Sequence, residues 1–133
     1  MIEIKACNDP GLLAKLNEEI QNLHHQLHPS VFKPYAANDI EIFYKINLAN
    51  EYCKAFVAYE NNVAVGYVLI FAKYIDENPF QFAKKFVLID QILVLQNHRK
   101  KGVGKLLLEK TYTYAQSLNI NQMELNHWST NTT

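Results

Sequence analysis

Hydrophobic residues recur at two different spacings along the chain, and the spacing separates helices from strands. In the segment 10–28, leucine and isoleucine stand three or four residues apart, which predicts an amphipathic helix. Asp9 followed by Pro10 is typical of a helix start, because aspartate caps free N–H groups and proline needs none in the first turn. Pro29 disfavours helical geometry in the residue before it, so we expect the helix to stop by His28.

The same patterns predict the elements of the middle of the chain. Residues 2–6 alternate as a short strand, and residues 39–50 form a second, less regular helix. Two runs with strand character, KAFVAYE and VAVGYVLIFAKY, flank the pair Asn61-Asn62. Because asparagine tolerates positive φ, this pair predicts an antiparallel hairpin.

A long apolar run, residues 86–96, predicts a central strand covered on both faces. A glycine loop follows it, and then a helix whose apolar stripe comprises Val103, Leu106, Leu107, Tyr114 and Leu118. A last strand is predicted over 122–128. The predicted order is β-α-α-β-β-β-α-β, a mixed α/β (α+β) arrangement in a single domain, residues 1–133.

Composition narrows the classes of partner. The 133 residues are 49% apolar and 20% charged, and thirteen basic residues balance thirteen acidic ones. We therefore expect no general capture of nucleic acid or of a membrane surface, so that any anion site must be local. Two cysteines, no signal peptide and no membrane-length apolar run predict reduced thiols in a cytoplasmic protein.

The stretch NHRKKGVGKLL, residues 97–107, is a candidate anion site. A strand-to-helix turn leaves the first helical N–H groups unpaired, and the helix dipole adds positive charge there. Phosphate is the natural ligand, since Gly102 and Gly104 let it approach the backbone. A P-loop is excluded by Arg99 and Leu106, and a dinucleotide fingerprint by Leu107.

The remaining pattern, Arg99-Lys100-Lys101-Gly102-Val103-Gly104, resembles the Gln/Arg-x-x-Gly-x-Gly/Ala signature of the GNAT superfamily of acyl-CoA-dependent N-acyltransferases. The context DQILVLQNHRKKGVGKLLL and the element order extend the resemblance over essentially the whole chain. It implies the GNAT fold, with a mixed, mostly antiparallel central sheet flanked by helices. It also implies acetyl-CoA or coenzyme A as cosubstrate, without a metal.

The resemblance assigns the binding residues. It implies that the pyrophosphate lies on the amides of 99–105 and that the pantetheine arm pairs with the preceding strand, where one N–H polarises the thioester carbonyl. Asn131 matches the asparagine of a further family pattern. The coenzyme-binding residues expected on this basis are Ile92, Leu93, Val94, Arg99, Lys100, Lys101, Gly102, Val103, Gly104, Lys105 and Asn131.

Asp90 is the candidate general base, because it is the only charged residue between Lys85 and Arg99 and some family members carry a catalytic carboxylate there. A purely structural role, with Asp90 hydrogen-bonded within the sheet or placed at a bulge, is equally open. His127 is a second candidate base, although packing at a strand edge is favoured. Trp128 is better explained by packing than by substrate binding.

Two further expectations concern the histidines and the acceptor. His24 and His28 have a metal-compatible spacing, but without a third ligand a solvated helix flank is favoured. The acceptor is a primary amine on a small molecule or a protein. Its pocket is expected to involve the loop 29–38, with Phe32 and Tyr35, and the turn 74–82, with Asp76 and Glu77.

The C-terminus departs from the family. GNAT enzymes usually continue after this strand with a helix bearing a tyrosine general acid, and that position falls beyond Thr133. No general acid is therefore assigned, and the chain is expected to be C-terminally truncated relative to the family. The exposed edge of strand 122–128 predicts a homo-oligomer, a dimer with exchanged elements being one form. A catalytically impaired acyl-CoA-binding module is the alternative function.

Overall fold

A computed structural model describes residues 1–126 of the protein. The elements are β1 Ile2–Ala6, α1 Pro10–Leu27, α2 Ala37–Leu48, β2 Cys53–Glu60, β3 Val63–Ile75, β4 Lys84–Val94, α3 Val103–Ser117 and β5 Met123–Leu125. The five strands form one sheet in the order β1-β2-β3-β4-β5. Neighbouring strands are antiparallel except β4 and β5, which are parallel and are joined by the crossover helix α3. A single 3-10 turn, Gln96–His98, precedes α3.

These elements confirm the predicted order and the mixed sheet. The side chain of Asp9 accepts a hydrogen bond from the N–H of Leu12, and His28 caps the other end of α1. Asn61 and Asn62 have φ of 51° and 68°, as expected for the tight turn of the β2–β3 hairpin. The second helix begins two residues before its predicted start, and the last strand is described only to Leu125.

Helices cover both faces of the sheet and produce two cores. On one face, α3 packs through residues such as Val103 and Leu107 against Phe56, Val68 and other strand residues. On the opposite face, α1 and α2 pack on a second set of side chains that comprises Leu13, Leu16, Ile20, Tyr44, Val57, Tyr67, Leu69 and Leu93. The central strands β3 and β4 are therefore buried from both sides, as their continuous apolar sequence predicts.

A β-bulge in β4 decides which side chains reach each core. Leu69 of β3 faces Gln91 and Ile70 faces Ile89, so that Asp90 is the inserted residue. Before the bulge, Ile89 belongs to the core beneath α3; after it, Ile92 belongs to that core and Leu93 to the opposite one. The bulge therefore reverses the alternation of β4 at the residue that carries the charge.

Two general properties complete the description. No helix within residues 1–126 is long and apolar enough to cross a membrane. Cys7 and Cys53 are both buried and both free thiols.

Candidate active site

The loop between β4 and α3 has the backbone of an anion site. Lys100 and Gly102 adopt left-handed φ of 64° and 83°, which turns successive N–H groups toward one side of the chain. Gly102 is the N-cap of α3 and no side chain caps the helix, so its first N–H groups remain available to a ligand. The loop thus has the features that the glycine pattern predicts.

A cleft of about 770 Å³ opens directly on this loop. The loop contributes one end of the cleft, and an outward face of α3 with Leu108, Tyr112 and Gln116 contributes a wall. Met123 of β5 lies on the same cleft. The predicted binding residues that line it are Val94, Arg99, Lys100, Gly102, Val103, Gly104 and Lys105.

Lys101 is the predicted loop residue whose side chain is engaged elsewhere. Its Nζ lies 3.3 Å from Oε1 of Glu60, at the end of β2, and Nδ1 of His98 lies 2.8 Å from the same oxygen. The hydrogen bond with His98 and the charge of Lys101 lower the pKa of Glu60. Glu60 therefore connects the β2–β3 hairpin to the loop. Because the side chain of Lys101 is held by Glu60, the backbone N–H is the group of Lys101 that remains as a candidate to bind an anion.

Within residues 1–126, the strand that leads into the loop has an open edge. The described part of β5 pairs with β4 as far as Ile89, opposite Leu125, whereas β4 continues to Val94. The carbonyl of Leu93 faces Gly66 of β3, so the backbone groups of the flanking residues Ile92 and Val94 point the other way, toward the open edge. Of the three residues predicted to pair with pantetheine, Leu93 therefore presents its backbone to β3 instead.

Arg99 connects the open edge with the loop. Its Nε donates a hydrogen bond of 3.0 Å to the carbonyl oxygen of Val94. Because this contact uses only one of the five N–H donors, the rest of the guanidinium remains available on the cleft.

Asp90 lies at the other end of the open edge and is half-buried. Its Oδ1 accepts a hydrogen bond of 3.0 Å from Nδ2 of Asn126, the residue after β5. A cavity of about 180 Å³ adjoins it, lined also by Gln91, Asn17 and Phe32 among others. The bulge and the hydrogen bond match the structural role for Asp90, while its place on a cavity is what a catalytic role requires.

A buried hydrogen-bond network adjoins Asp90. Nδ2 of Asn17 donates to the hydroxyl of Tyr67 at 3.1 Å, the hydroxyls of Tyr67 and Tyr44 are 3.0 Å apart, and Tyr44 donates to Oε1 of Gln91 at 2.6 Å. Tyr67 also lies 2.9 Å from that oxygen. Burial raises the pKa of Tyr67 to about 12 and that of Tyr44 further, so both are neutral donors. The network fixes the Gln91 amide with its carbonyl toward the tyrosines.

Part of the loop that was predicted to contact the acceptor lines a cavity. Val31, Phe32 and Pro34 line a further cavity of about 400 Å³ between α1 and α2. Tyr35 instead donates its hydroxyl to the carbonyl of Ala14 at 2.8 Å. The predicted turn 74–82 lines neither this cavity nor the one at Asp90, because it lies before Lys84, about 20 Å along β4 from Asp90. Asp76 and Glu77 therefore lie away from both cavities.

His24 of α1 lines the cavity at Asp90. His24 stacks on Phe32 with ring centroids 4.5 Å apart, and burial together with the charge of His28 lowers its pKa. Within residues 1–126 there is no group of three or more residues suited to hold a metal ion. His127, Trp128 and Asn131 lie outside the described residues.

Two features of the site were not predicted from the sequence, namely the contact between Glu60 and His98 and the position of Gln91 in the hydrogen-bond network. Glu60 is separated from His98 by 38 residues, and no local pattern joins them. Gln91 had a usable signal, since it is a second polar residue inside an otherwise apolar strand. Such a residue needs a buried partner, which the two tyrosines supply.

The comparison with protein families identifies the class. The model of the acetyltransferase (GNAT) family matches residues 17–133. The chain therefore belongs to the GNAT acetyltransferases and is an acyltransferase, in agreement with the expected fold and cosubstrate class. No curated protein matches it significantly by sequence.

Solved structures with the same fold include proteins crystallised with the coenzyme. A tetramutant of the BH1408 protein from Bacillus halodurans superposes with a TM-score of 0.84 at 18% identity, covering 95% of this chain and 81% of that chain. A predicted acetyltransferase from Clostridium acetobutylicum, solved with acetyl-CoA, gives 0.71 at 18% identity, with 95% and 80% covered. The aminoglycoside N-acetyltransferase AAC(6')-Iy, solved with CoA, gives 0.67 at 19% identity, with 95% and 76% covered.

Proposed function

We propose that this chain transfers the acetyl group of acetyl-CoA to a primary amine of a small-molecule or protein acceptor, by direct attack on the thioester. One observation carries the proposal: among the residues that the structure describes, the open edge of β4 leads without interruption from the phosphate-type loop to Asp90. Four residues of strand, about 13 Å, separate Asp90 from Val94. An extended carrier bound along this edge would place its reactive end at the carboxylate.

The coenzyme is held by backbone and cationic groups. The N–H groups of the loop 99–105 would bind the pyrophosphate, with Arg99, Lys100 and Lys105 supplying charge around it. The outward-facing backbone groups of Ile92 and Val94 would pair with the amides of the pantetheine arm. The relatives solved with acetyl-CoA and CoA support a carrier of this type.

Asp90 acts as the base in this proposal. An alkyl ammonium group has a pKa near 10 and must lose a proton before its nitrogen can attack. Asp90, directly or through a water, accepts that proton; the new C–N bond then forms as the C–S bond breaks, and the second proton lost by the nitrogen neutralises the departing thiolate. Asn126 orients the carboxylate by its hydrogen bond to Oδ1.

The test is thiol release from acetyl-CoA across a panel of amines, with coenzyme A binding measured separately. Asp90→Asn preserves an oxygen for Asn126 but cannot accept a proton, so kcat/KM should fall by roughly 10²–10⁴-fold while coenzyme affinity is retained. Full activity in Asp90→Asn would remove Asp90 from the mechanism. Tight coenzyme binding by the unmodified chain without any turnover would favour the acyl-CoA-binding module instead.

Assembly and location belong to the same proposal. β5 is an edge strand within residues 1–126, and its Leu125 is 55% exposed, which supports a dimer that covers this edge. A stable monomer in size-exclusion chromatography with light scattering would contradict the dimer. The two free buried thiols support a reducing, cytoplasmic location.

A further inference from the structure

The cavities at Asp90 and between α1 and α2 share walls and form one acceptor cleft. Four residues line both of them: Asn17, Gln21, Phe32 and Gln91. The smaller cavity has a volume of about 180 Å³ and the larger one about 400 Å³. An amine placed at Asp90 would therefore extend its body into the space between the two helices.

The walls of the larger cavity are mainly apolar. Seven of its twelve lining residues are hydrophobic or aromatic, namely Val31, Phe32, Pro34, Ala36, Ile40, Phe43 and Tyr44. Burying an apolar body against such walls is favourable, whereas burying a second ammonium group requires a carboxylate beside it. The composition of these walls thus favours an amine whose body, away from the reacting nitrogen, is apolar.

The charges of the acceptor cleft match a single cation. Asp90 is the carboxylate of the smaller cavity, and in the larger one Asp39 is accompanied by Lys33. A polyamine or an aminoglycoside would bring several ammonium groups to a cleft whose described lining carries two acids and one lysine, a net charge of −1. The free energy needed to desolvate the additional ammonium groups of such ligands would exceed the free energy gained from their contacts in the cleft.

Gln91 adds one polar contact to this cleft. The buried hydrogen-bond network of Asn17, Tyr67 and Tyr44 holds Oε1 of Gln91 toward the protein interior. The Nε2 of Gln91 makes no hydrogen bond within residues 1–126. Because Gln91 lines both cavities, this nitrogen is a neutral donor for a ligand. A second ammonium group at this place would meet N–H groups of the amide instead of an acceptor.

We infer that the acceptor is a monoamine with an apolar or aromatic body, and that Gln91 is a specificity-determining residue that rejects a second positive charge. The inference rests on the proposed acetyl transfer. It excludes polyamines and aminoglycosides as preferred substrates of this chain.

Pentylamine and 1,5-diaminopentane form a matched pair, because they differ only in the charge at the far end. Thiol release should show kcat/KM for pentylamine and for phenethylamine about tenfold or more above the values for 1,5-diaminopentane, spermidine and kanamycin. A preference for any of the three polycations would overturn the inference while leaving acetyl transfer intact. If no amine releases thiol, the proposal of acetyl transfer fails. Ligand-observed NMR of pentylamine and 1,5-diaminopentane with the coenzyme-loaded chain then tests the inference separately, and tighter binding of the diamine would overturn it.

Three variants test the assigned walls. Gln91→Glu keeps an oxygen for the two tyrosines and replaces the amide nitrogen by a carboxylate oxygen, so the preference within the matched pair should move toward the diamine by about tenfold. Phe43→Ala should lower kcat/KM for phenethylamine by roughly 10-fold or more. Ile46→Ala is its control, since Ile46 stands on the same helix, is 67% exposed and is absent from the cleft. An unchanged preference in Gln91→Glu, or equal effects of the two helix variants, would overturn the assignment.

Discussion

The backbone of Gly66 lies directly against the carbonyl oxygen of Leu93: a Cβ added to the glycine would stand 2.6 Å from that oxygen. Real Cβ atoms do not approach backbone oxygen so closely, so a larger residue here must push β3 and β4 apart. The contact matters beyond packing, because holding Leu93 toward β3 is what leaves Ile92 and Val94 facing the open edge.

Gly66→Ala should destabilise the protein by about 1–3 kcal/mol, because the added methyl group meets backbone that has no room to yield. Coenzyme A affinity, measured by calorimetry, should fall with it. Gly11→Ala is the control: its added Cβ meets only side-chain atoms of Asp9 and Glu41 at 3.4 Å or more, and alanine is the better helix former. Equal unfolding midpoints in urea for the two variants would contradict the crowding argument.

Tyr67→Phe should cost about 1–3 kcal/mol of stability, because Asn17 and Gln91 then lose a buried partner. Tyr59→Phe, which alters a half-buried tyrosine outside the network, should be nearly neutral. The raised pKa of Tyr67 adds a pH test: between about 10 and 12 the unfolded chain releases a proton that the folded chain retains, so stability falls as pH rises. Tyr67→Phe should show a shallower fall in thermal midpoint over that range.

Glu60→Gln should lower the thermal midpoint at pH 7, because the amide cannot hold His98 and Lys101 as strongly as the carboxylate does. The pKa of Glu60 is lowered in the folded state, so its contribution is present above the ordinary glutamate value, about 4.3, and is lost as pH falls through the lowered value. The thermal midpoints of the two proteins should therefore converge in acid. Parallel curves from pH 7 to pH 3 would show that the charge of Glu60 is irrelevant.

Lys105→Gln should weaken coenzyme A binding by roughly tenfold and reduce its dependence on salt, because Lys105 supplies positive charge at the cleft beside Gly104. Lys15→Gln, which removes a solvent-exposed lysine of α1, is the matched control for net charge. Calorimetric titrations at two salt concentrations give both quantities. If the two variants bind the coenzyme equally well, the cleft is not the pyrophosphate site.

Local patterns were sufficient for most of the fold. The cap at Asp9, the asparagine turn and the glycine loop each depend on neighbours within a few residues, and all three were predictable. The bulge could be anticipated only as one alternative for Asp90, because β4 is apolar on both faces and its sequence shows no break in alternation. Asp90 was the only visible sign of it.

The site was predictable where it consists of backbone and unpredictable where it depends on distant side chains. The loop could be located because its chemistry belongs to peptide N–H groups at a helix start. The buried hydrogen-bond network from Asn17 to Gln91 joins residues on α1, α2, β3 and β4. The hydrogen bond between Glu60 and His98 joins the β2–β3 hairpin to the loop. These pairings follow from the sheet order, which no short stretch of sequence specifies.

The inserted residue in β4 has a consequence for how this chain can vary. Because Asp90 is the residue that β4 has in excess of β3, deleting it would leave Gln91, Ile92 and Leu93 opposite their present partners and would turn the bulge into a regular ladder. The two helical layers would keep their side chains, and the backbone of Leu93 would still face β3. A one-residue deletion at this point would therefore remove the carboxylate and the local bend while leaving the pairing of the rest of the strand intact.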